Sequence, residues 1–477
     1  METITNLGLR CGDELLVSPR RIGPATTRAR CHGGLELAIV AGPDSGRRFL
    51  FGDGVVVVGR SRSADATLSD PSVSRRHCAF ELTDGVIRVF EVRAPIFVEE
   101  RAIGPGAGLR VGELVTLGST VAIVREAEKG PQGSEIDGQR RPDDRGRPDE
   151  HGRVAFNRPP RGQTVSTRFE VTLGAPPDRP RRIMLSGATA LAPLLMGGAM
   201  LVLTRNPLML VFMALSPVMA VWSYVEERRR GHRAFRVEAH AFRARLEHVI
   251  EQVRSATVVE RNVRRAGAPD TACLVARAES QASTLWERRA SDDDFLRLRL
   301  GWARHRSLAR VTVEAGGSAE LRAEAEQVIS DASERPLGPS VVDLRAAGSL
   351  GLAGPRPLVH RSATWLVVQL ATLHSPRDVS IELAIESSSL DGWDWAKWLP
   401  HTRGLADRES CGLALGSTEA GALIERLAQV VTARVRHSRS LTASDAPEVR
   451  IVAFIDEATD VDRSTVARLL AEGPDVG

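Results

Sequence analysis

The chain has 477 residues and a formal net charge of +4, with 64 lysines and arginines against 60 acids, and this length fits two or three domains. Lys129 and Lys397 are its only lysines, its arginines are interleaved with acids, and it has a single tyrosine, so the composition argues against nucleic-acid binding. The five cysteines are scattered, which predicts reduced cytosolic thiols and neither a disulfide framework nor a metal site. The N-terminus lacks a signal-peptide pattern, so we expect that this region is not exported.

A predicted β-strand, Val55 to Val58, delivers Arg60 to a turn. A second loop carries Ser74 and Arg75. Arginine offers a planar pair of donors suited to phosphate, and serine adds a neutral donor. The two loops together therefore predict an anion site.

These residues resemble the core signature of the forkhead-associated (FHA) domain, a β-sandwich that reads phosphopeptides. The resemblance assigns phosphopeptide binding to Arg60, Ser74 and Arg75, and bracing of the loop to Gly59 and His77. It implies an FHA-type sandwich over the surrounding sequence.

One departure from the family affects the expected binding. The resemblance covers roughly residues 35 to 126, but the family's Asn-Gly-Thr segment is replaced by Arg93 to Val98, which contains no asparagine. Loss of an amide that holds the ligand's backbone typically costs about 1–3 kcal/mol. We therefore expect weak or no phosphothreonine binding, and the alternative is a sandwich that serves as a docking or spacer module.

Two apolar stretches, Ile183 to Thr204 and Pro207 to Val225, are separated only by Arg205 and Asn206. Each is close to the ~20 residues that cross a bilayer as a helix, so the sequence predicts a two-span hairpin in the lipid bilayer. Arginines flank the hairpin on both sides, which places both termini in the cytoplasm and the protein in the plasma membrane. Small residues four apart permit close helix contact and favour a homo- or hetero-oligomer.

The hairpin lies between a linker and a helix. Residues 128–180 begin with a Gly-, Pro- and charge-rich stretch, which is typical of a flexible tether. After the hairpin, apolar residues recur at helical spacing from Phe235 to Val253. This pattern predicts a stalk helix with one packed face.

The segment after residue 335 alternates between strand-like and helix-like stretches. We expect strands at Ser349 to Ala353, Val379 to Ile385 and Arg450 to Ile455, and helices at Leu358 to Thr372 and Ala420 to Arg436. Such alternation predicts a doubly wound α/β domain.

The turn Gly354 to Pro357 lies where a phosphate-binding loop would lie, and Asp456 and Glu457 end a hydrophobic strand as Mg²⁺-binding acids do in NTPases. A working loop needs Gly-Lys-Ser/Thr, because the lysine neutralises the β- and γ-phosphates. Neither lysine of the chain lies in such a sequence. We therefore expect no catalytic residue, no cofactor and no metal, and we interpret the two acids as a structural strand end.

Several motifs in this order resemble the EccC/EssC family, the membrane-anchored FtsK/SpoIIIE-type ATPases of type VII (ESX) secretion systems. They are Phe156 to Arg161, Thr284 to Arg289, Asp292 to Leu296 and Trp393 to His401. The resemblance runs from about residue 154 to the C-terminus, and an FHA region is also known in the EssC branch. It implies a degenerate P-loop-like domain, incomplete here, with the ATPase modules absent.

The expected architecture is multidomain: an all-β FHA-type sandwich, a two-span transmembrane helical hairpin and an α/β degenerate P-loop-like cytoplasmic domain. The predicted boundaries are 1–34 for an N-terminal extension, 35–127 for the FHA-like domain, 128–180 for the linker, 181–228 for the hairpin, 229–262 for the stalk and 263–477 for the degenerate domain.

These expectations support one leading hypothesis and two alternatives. The leading one is a non-catalytic scaffold of a type VII secretion system, which assembles with other secretion membrane subunits and a separately encoded ATPase. The first alternative is a membrane adaptor that reads phosphothreonine proteins through its FHA-like domain. The second is the N-terminal piece of a complete ATP-driven secretion motor.

Overall fold

The computed structural model describes residues 35–51, 54–83, 86–127, 158, 161, 169–180, 208–332, 337–403, 411–438, 449–456, 459 and 461–477. Two compact units form, the first from described parts of Met1–Gln163, Arg264–Ala303 and Pro339–Gly477, and the second from those of Thr164–Val263 and Arg304–Gly338.

The strands and helices are numbered in chain order. The strands are β1 (Leu35–Ala41), β2 (Arg48–Phe51), β3 (Gly54–Gly59), β4 (Ala66–Thr67), β5 (Cys78–Thr83), β6 (Val86–Val92), β7 (Ile96–Val98), β8 (Arg101–Ile103), β9 (Gly108–Leu109), β10 (Leu114–Leu117), β11 (Thr120–Glu126), β12 (Phe169–Leu173), β13 (Arg297–Arg304), β14 (Ala309–Val313), β15 (Leu337–Asp343), β16 (Val379–Ile385), β17 (Leu413–Leu415) and β18 (Arg450–Ile455). The helices are α1 (Leu208–Gly267), α2 (Thr271–Glu279), α3 (Ala319–Ala332), α4 (Leu344–Ala347), α5 (Arg356–Leu373), α6 (Leu390–Trp393), α7 (Gly416–Ser438) and α8 (Arg463–Val476).

Strands β1 to β11 form a sandwich of two sheets. The first sheet, sheet A, has the order β2-β1-β11-β10-β7-β8, and the second, sheet B, has the order β4-β3-β5-β6-β9. Successive side chains of a strand point to opposite faces, so Leu37 and Ile39 of β1 meet Phe80 of β5 in one core. The FHA-type sandwich predicted from the sequence is confirmed.

Helix α2 packs against sheet A within the same unit. Asp270 caps the helix by accepting a hydrogen bond from Cys273 N at 2.9 Å, and Arg125 Nη1 donates to the same carboxylate at 3.1 Å. Arg125 Nε also donates to the buried Glu36 at 2.7 Å. Burial of the Glu36 carboxylate is tolerated because Arg125 pairs with it and balances its charge. The sandwich is thus bound to a helix that follows it by more than a hundred residues.

The rest of the first unit has a parallel sheet of order β17-β16-β18 among its described strands. All seven residues of β16 are buried, and helix α5 packs its Leu366, Val367 and Leu370 into the same core. The predicted strands at 379–385 and 450–455 are confirmed, and the two predicted helices lie within α5 and α7.

The predicted strand Ser349 to Ala353 is wrong. These residues form a loop between α4 and α5, although Leu350 and Leu352 do pack against the core. The alternating apolar residues that predicted a strand are Leu350 and Leu352, which anchor a loop to the core.

The second unit is built on α1. Its Phe242, Leu246 and Val253 pack with Leu173 of β12 and Leu321 of α3, which confirms the predicted helix with one packed face. Strands β12 and β14 pair in parallel over five residues, and β12 lies in the stretch expected to be linker.

The two-span transmembrane hairpin is wrong, and so is the predicted location as a two-span plasma-membrane protein. Among the described residues, no helix combines the length and the apolar character that a bilayer crossing needs. The first predicted span, 183–204, lies outside the described residues. The second coincides with the start of α1, which continues through the charged stretch after Val225 up to Gly267, so these residues do not form a separate apolar helix.

Candidate functional site

The predicted anion site lies where two loops of sheet B meet. Arg60 N donates to Ser74 O, and Ser61 N donates to Arg75 O, each at 2.9 Å. These bonds place Arg60, Ser74 and Arg75 side by side, with both arginines exposed and the serine half-buried. The structure therefore brings all three predicted binding residues together.

Gly59 is required by this close approach. A Cβ atom at Gly59 would lie 2.4 Å from the carbonyl oxygen of Arg75 and 2.9 Å from Cα of Arg76. No side chain fits at such distances, so a larger residue would push the Arg75 loop away from Arg60.

His77 connects two segments of the site, the loop of Ser74 and the segment that contains Pro95. Its Nδ1 accepts a hydrogen bond from Ser74 N at 3.2 Å, and its Nε2 lies 3.1 Å from Pro95 O. A neutral imidazole with its proton on Nε2 satisfies both contacts. Because His77 is buried, it holds the loop instead of facing a ligand.

Two buried carboxylates that sequence reasoning missed hold the loop from the other side. Asp70 accepts hydrogen bonds from Ser72 N at 2.9 Å, Ser72 Oγ at 2.6 Å, Ser119 N at 3.0 Å and Thr120 Oγ1 at 2.8 Å. Burial acts to raise the pKa of Asp70, but these hydrogen bonds outweigh it and the pKa is lowered. The Asp70-Pro71-Ser72 sequence is a typical turn signal, but it does not indicate the distant partners Ser119 and Thr120.

Asp44 plays a similar part. Asp44 accepts a hydrogen bond from Ser69 N at 2.6 Å and forms an ion pair with Arg47 at 2.9 Å. Burial opposes ionisation of Asp44, but the hydrogen bonds from Ser69 and Arg47 lower its pKa. The two carboxylates therefore stay ionised and fix the loop at neutral pH.

The position of the family's asparagine offers little to a peptide backbone. The aligned stretch has Ala94 and then Pro95, which lacks an N–H and whose carbonyl oxygen is already bound to His77. Glu91 lies nearby and pairs with Arg93 at 2.5 Å and Arg76 at 3.7 Å. The site can hold an anion through its arginines, but it lacks the amide that would hold the ligand's main chain.

The second predicted site, the degenerate phosphate loop, contains an internal ion pair. Arg356 at the start of α5 reaches Asp456 at the end of β18, with Nη2 2.7 Å from Oδ2, and Nη2 also donates to Ser389 Oγ at 2.8 Å. The structure thus brings the loop position and the strand-end acid together. Glu457 lies outside the described residues.

The motifs quoted from the second family meet in one cluster of charges. Arg161 forms a two-pronged pair with Asp294 at 2.6 and 2.9 Å, and Arg158 pairs with Asp378 at 2.7 Å. Asp294 also lies 3.2 Å from Nε of the buried Arg288. Burial lowers the pKa of Arg288 to about 10, so its guanidinium still carries a charge that needs Asp294.

Two buried histidines complete this cluster. His374 Nε2 accepts Leu296 N at 3.1 Å, and His401 Nε2 lies 2.8 Å from His374 O. Burial lowers the pKa of His374 to about 3, with the charge of Arg288 acting in the same direction, and burial lowers that of His401 to about 4. Both rings are therefore neutral packing groups at physiological pH.

Comparison with known proteins agrees with both resemblances. A family model described as the cytoplasmic domain of an inner membrane component of the type III secretion system matches residues 38–128. An ESX secretion system protein EccC from Geobacillus thermodenitrificans is 26% identical over 216 residues, which is 44% of this chain and 14% of that protein. An EccC from Thermomonospora curvata is 27% identical over 265 residues, 51% of this chain and 20% of that protein. The match thus spans at most a fifth of the length of these two relatives.

Solved FHA domains are also similar. The FHA domain of a Chlamydia trachomatis protein is 27% identical and has a TM-score of 0.18, over 19% of this chain and 96% of that one. A type VII secretion system protein EssC from Staphylococcus aureus is 22% identical over 191 residues, 39% of this chain and 13% of that protein. By its sequence matches the chain is EccC/EssC-like, and the matched family model and the β-sandwich together give it an FHA-type domain in its N-terminal part.

Proposed function

We propose that this chain is a non-catalytic scaffold of a type VII secretion system, which assembles with other secretion subunits and with an ATPase on a separate chain. Its similarity to EccC and EssC proteins supports the secretion role. The non-catalytic role is supported above all by the pairing of Arg356 with Asp456.

This pairing opposes nucleotide chemistry for a physical reason. In an NTPase the strand-end acid holds Mg²⁺ and a lysine neutralises the β- and γ-phosphates. Here a guanidinium occupies the carboxylate, and Lys397 pairs with Asp394 at 2.6 Å. Pro355 and Pro357 also remove two N–H donors from the loop that would wrap a phosphate.

Nucleotide binding by the full chain tests the non-catalytic role. We expect Mg²⁺-ATP to leave the melting temperature unchanged and phosphate release to stay at background. Arg356→Ala should lower stability by about 0–1 kcal/mol, as for other partly exposed pairs, and Arg361→Ala on the same helix is the matched control. Micromolar ATP binding that Asp456→Ala abolishes would contradict the proposal.

Assembly is tested separately. The full chain, purified from its own cells with a tag, should retain type VII secretion subunits that quantitative mass spectrometry identifies. Their absence from the purified material would count against the scaffold role, whatever the nucleotide result.

A second candidate function, the reading of phosphothreonine proteins, is supported by the convergence of Arg60, Ser74 and Arg75. Because Ala94 and Pro95 replace the groove amide, we expect affinity lower by about 1–3 kcal/mol, which is roughly 5- to 150-fold. Titration of a phosphothreonine peptide library against the full chain measures it, with Arg60→Ala as the test variant and the exposed Arg62→Ala as its control. Tight binding that depends on Arg60 and not on Arg62 would make this the leading function.

A further inference from the structure

The turn between β1 and β2, residues 42–47, holds part of the predicted anion site. Its Asp44 accepts a hydrogen bond from Ser69 N at 2.6 Å. Ser69 lies in the anion loop, the loop between β4 and β5 that carries Ser74 and Arg75. Because Asp44 is only 6% exposed, water has little access to replace this bond. The position of the turn therefore determines how well the loop is held.

Two more residues fit the turn to the structure around the anion loop. Arg47 Nη1 donates a hydrogen bond to Thr67 O at 2.9 Å, and Thr67 ends β4 directly before the loop. Gly42 has a φ of +109°, and a Cβ atom there would lie 2.9 Å from Cα of Thr120. Thr120 is one of the donors to the buried Asp70 of the loop. The turn thus packs against both segments that hold the loop in place.

The same turn also contacts α2. Ser45 Oγ lies 3.3 Å from Thr271 Oγ1, which also donates to Val40 O at 3.1 Å. A Cβ atom at Gly46 would lie 3.0 Å from a methyl group of Val275, so the helix packs closely on the backbone of the turn. The turn is therefore in contact with α2 and with the anion loop at the same time.

We propose that the β1–β2 turn couples the anion loop to α2, so that detachment of either one loosens the other. Asp44, Ser45 and Gly46 are consecutive, and a backbone shift on the helix side therefore moves the carboxylate that holds Ser69 N. A shift of about 1 Å would lengthen the 2.6 Å bond to about 3.6 Å, beyond the range of a hydrogen bond. A coupling between two sites acts equally in both directions.

This coupling gives α2 an influence on the anion site without any contact between α2 and a ligand. A partner that draws α2 away from the sandwich would lower the affinity of the site for an anion. An anion bound at Arg60, Ser74 and Arg75 would in turn strengthen the α2 contact. The coupling acts through the turn alone, so it does not depend on whether the chain reads phosphothreonine.

Other contacts between α2 and sheet A bypass the turn. Arg125 of β11 pairs with Asp270 at 3.1 Å, and Arg48 of β2 lies 3.9 Å from Glu279. They keep the helix attached when only its turn-facing side chains change. Substitutions at Thr271 and Val275 therefore perturb the turn without releasing α2.

Thiol labelling of the full chain, resolved by residue with mass spectrometry, tests the coupling. The buried Cys78 directly follows the anion loop and reports on its opening, and the exposed Cys411 reports on the reagent. Thr271→Val combined with Val275→Ala should accelerate Cys78 labelling by about 2- to 30-fold. Ala278→Ser, at an exposed position of the same helix, should leave it unchanged.

A double-mutant cycle separates this coupling from a general loss of stability. Asp44→Ala removes the carboxylate that joins the turn to the loop. It should accelerate labelling of Cys78 and, because the coupling is reciprocal, of Cys273 on α2. In the Asp44→Ala background, the two α2 substitutions should accelerate Cys78 labelling less than they do in the wild type.

Hydrogen exchange of the α2 variant provides a measurement that does not require Asp44→Ala. The amides of the anion loop should exchange faster, whereas those of β6, which pairs with β5 and β9, should not. Melting curves verify that each variant folds. Unchanged Cys78 labelling in the α2 variant, accelerations that multiply in the double variant, or an equal acceleration of exchange in β6 would each overturn the proposal.

Discussion

Substitution of Asp70 by asparagine tests how firmly the anion loop, the loop that carries Ser74 and Arg75, is held. The carboxylate accepts hydrogen bonds from Ser72 through one oxygen and from Ser119 and Thr120 through the other. Asparagine keeps the volume but replaces one acceptor by an NH₂ group. The Thr120 hydroxyl can rotate to accept from this group, but the Ser119 N–H cannot.

The expected loss in the free energy of local opening follows from the number of these hydrogen bonds that asparagine cannot accept. Ser119 N retains a second acceptor, Ser72 Oγ at 2.8 Å, so it is not left wholly unsatisfied. Hydrogen bonds to a charged group are worth about 1.5–3 kcal/mol each, and we expect Asp70→Asn to lower the free energy of local opening by about 2–3 kcal/mol. This corresponds to roughly a 30- to 150-fold larger population of the open state.

Thiol labelling of the full chain measures this opening. Cys78 directly follows His77 and is buried, and burial raises its pKa to about 12, so it reacts only when the strand opens. The exposed Cys411 provides an internal measure of the reagent. Glu126→Gln, an exposed acid of the same sandwich, is the control. If Asp70→Asn accelerates Cys78 labelling less than threefold, the hydrogen bonds to Asp70 are not what holds the loop.

Acid should weaken the same hydrogen bonds in the wild type by protonating the Asp70 carboxylate. The folded-state pKa of Asp70 is lowered, so its contribution is present above its unfolded value near pH 4 and is lost as pH falls through the folded value. The difference between wild type and Asp70→Asn in hydrogen exchange of this loop should therefore shrink at low pH.

Two further predictions concern the buried histidines and Gly59. Because the folded-state pKa values of His374 and His401 are lowered to about 3 and 4, their contribution to stability is complete above pH 6.5 and decreases as pH falls, by up to about 1.4 kcal/mol per pH unit for each. The urea midpoint, followed by tryptophan fluorescence, should drop between pH 7 and 5, and a constant midpoint would contradict this. Gly59→Ala should displace the Arg75 carbonyl and accelerate Cys78 labelling, while Gly104→Ala, with no atom within 4 Å of the added methyl, should not.

The α/β strands that sequence reasoning located correctly are rich in apolar residues: Arg450–Ile455 has an unbroken apolar run after its first residue, and Val379–Ile385 is apolar except for Ser380 and Glu382. Val379–Ile385 is buried at every residue, as expected of a strand between parallel neighbours. One of the strands that it missed, Leu337–Asp343, contains a Gly-Pro pair that normally indicates a turn. Ser349–Ala353 showed a strand-like pattern only because two leucines anchor a loop.

The anion loop was predictable in part. Arg60, Ser74 and Arg75 are recognisable because the family motif specifies their types and spacing. Asp70 was not, since its partners Ser119 and Thr120 lie about fifty residues away and only the folded chain brings them near. The prediction of the apolar hairpin was wrong because it used local composition alone. The apolar stretch that ends at Val225 is the start of α1, which continues through charged residues to Gly267.

The contact between the sandwich and α2 has a consequence for synthesis of the protein. Arg125 and its partner Asp270 are 145 residues apart in the chain. At about 5–20 residues per second on the ribosome, the completed sandwich waits roughly 7–30 s before α2 is made. During this interval the carboxylate of Glu36 and the guanidinium of Arg125 have each other but not the helix, and the sheet surface is exposed to water and to other nascent chains. A chaperone that covers this surface would therefore act in this interval, before the helix emerges.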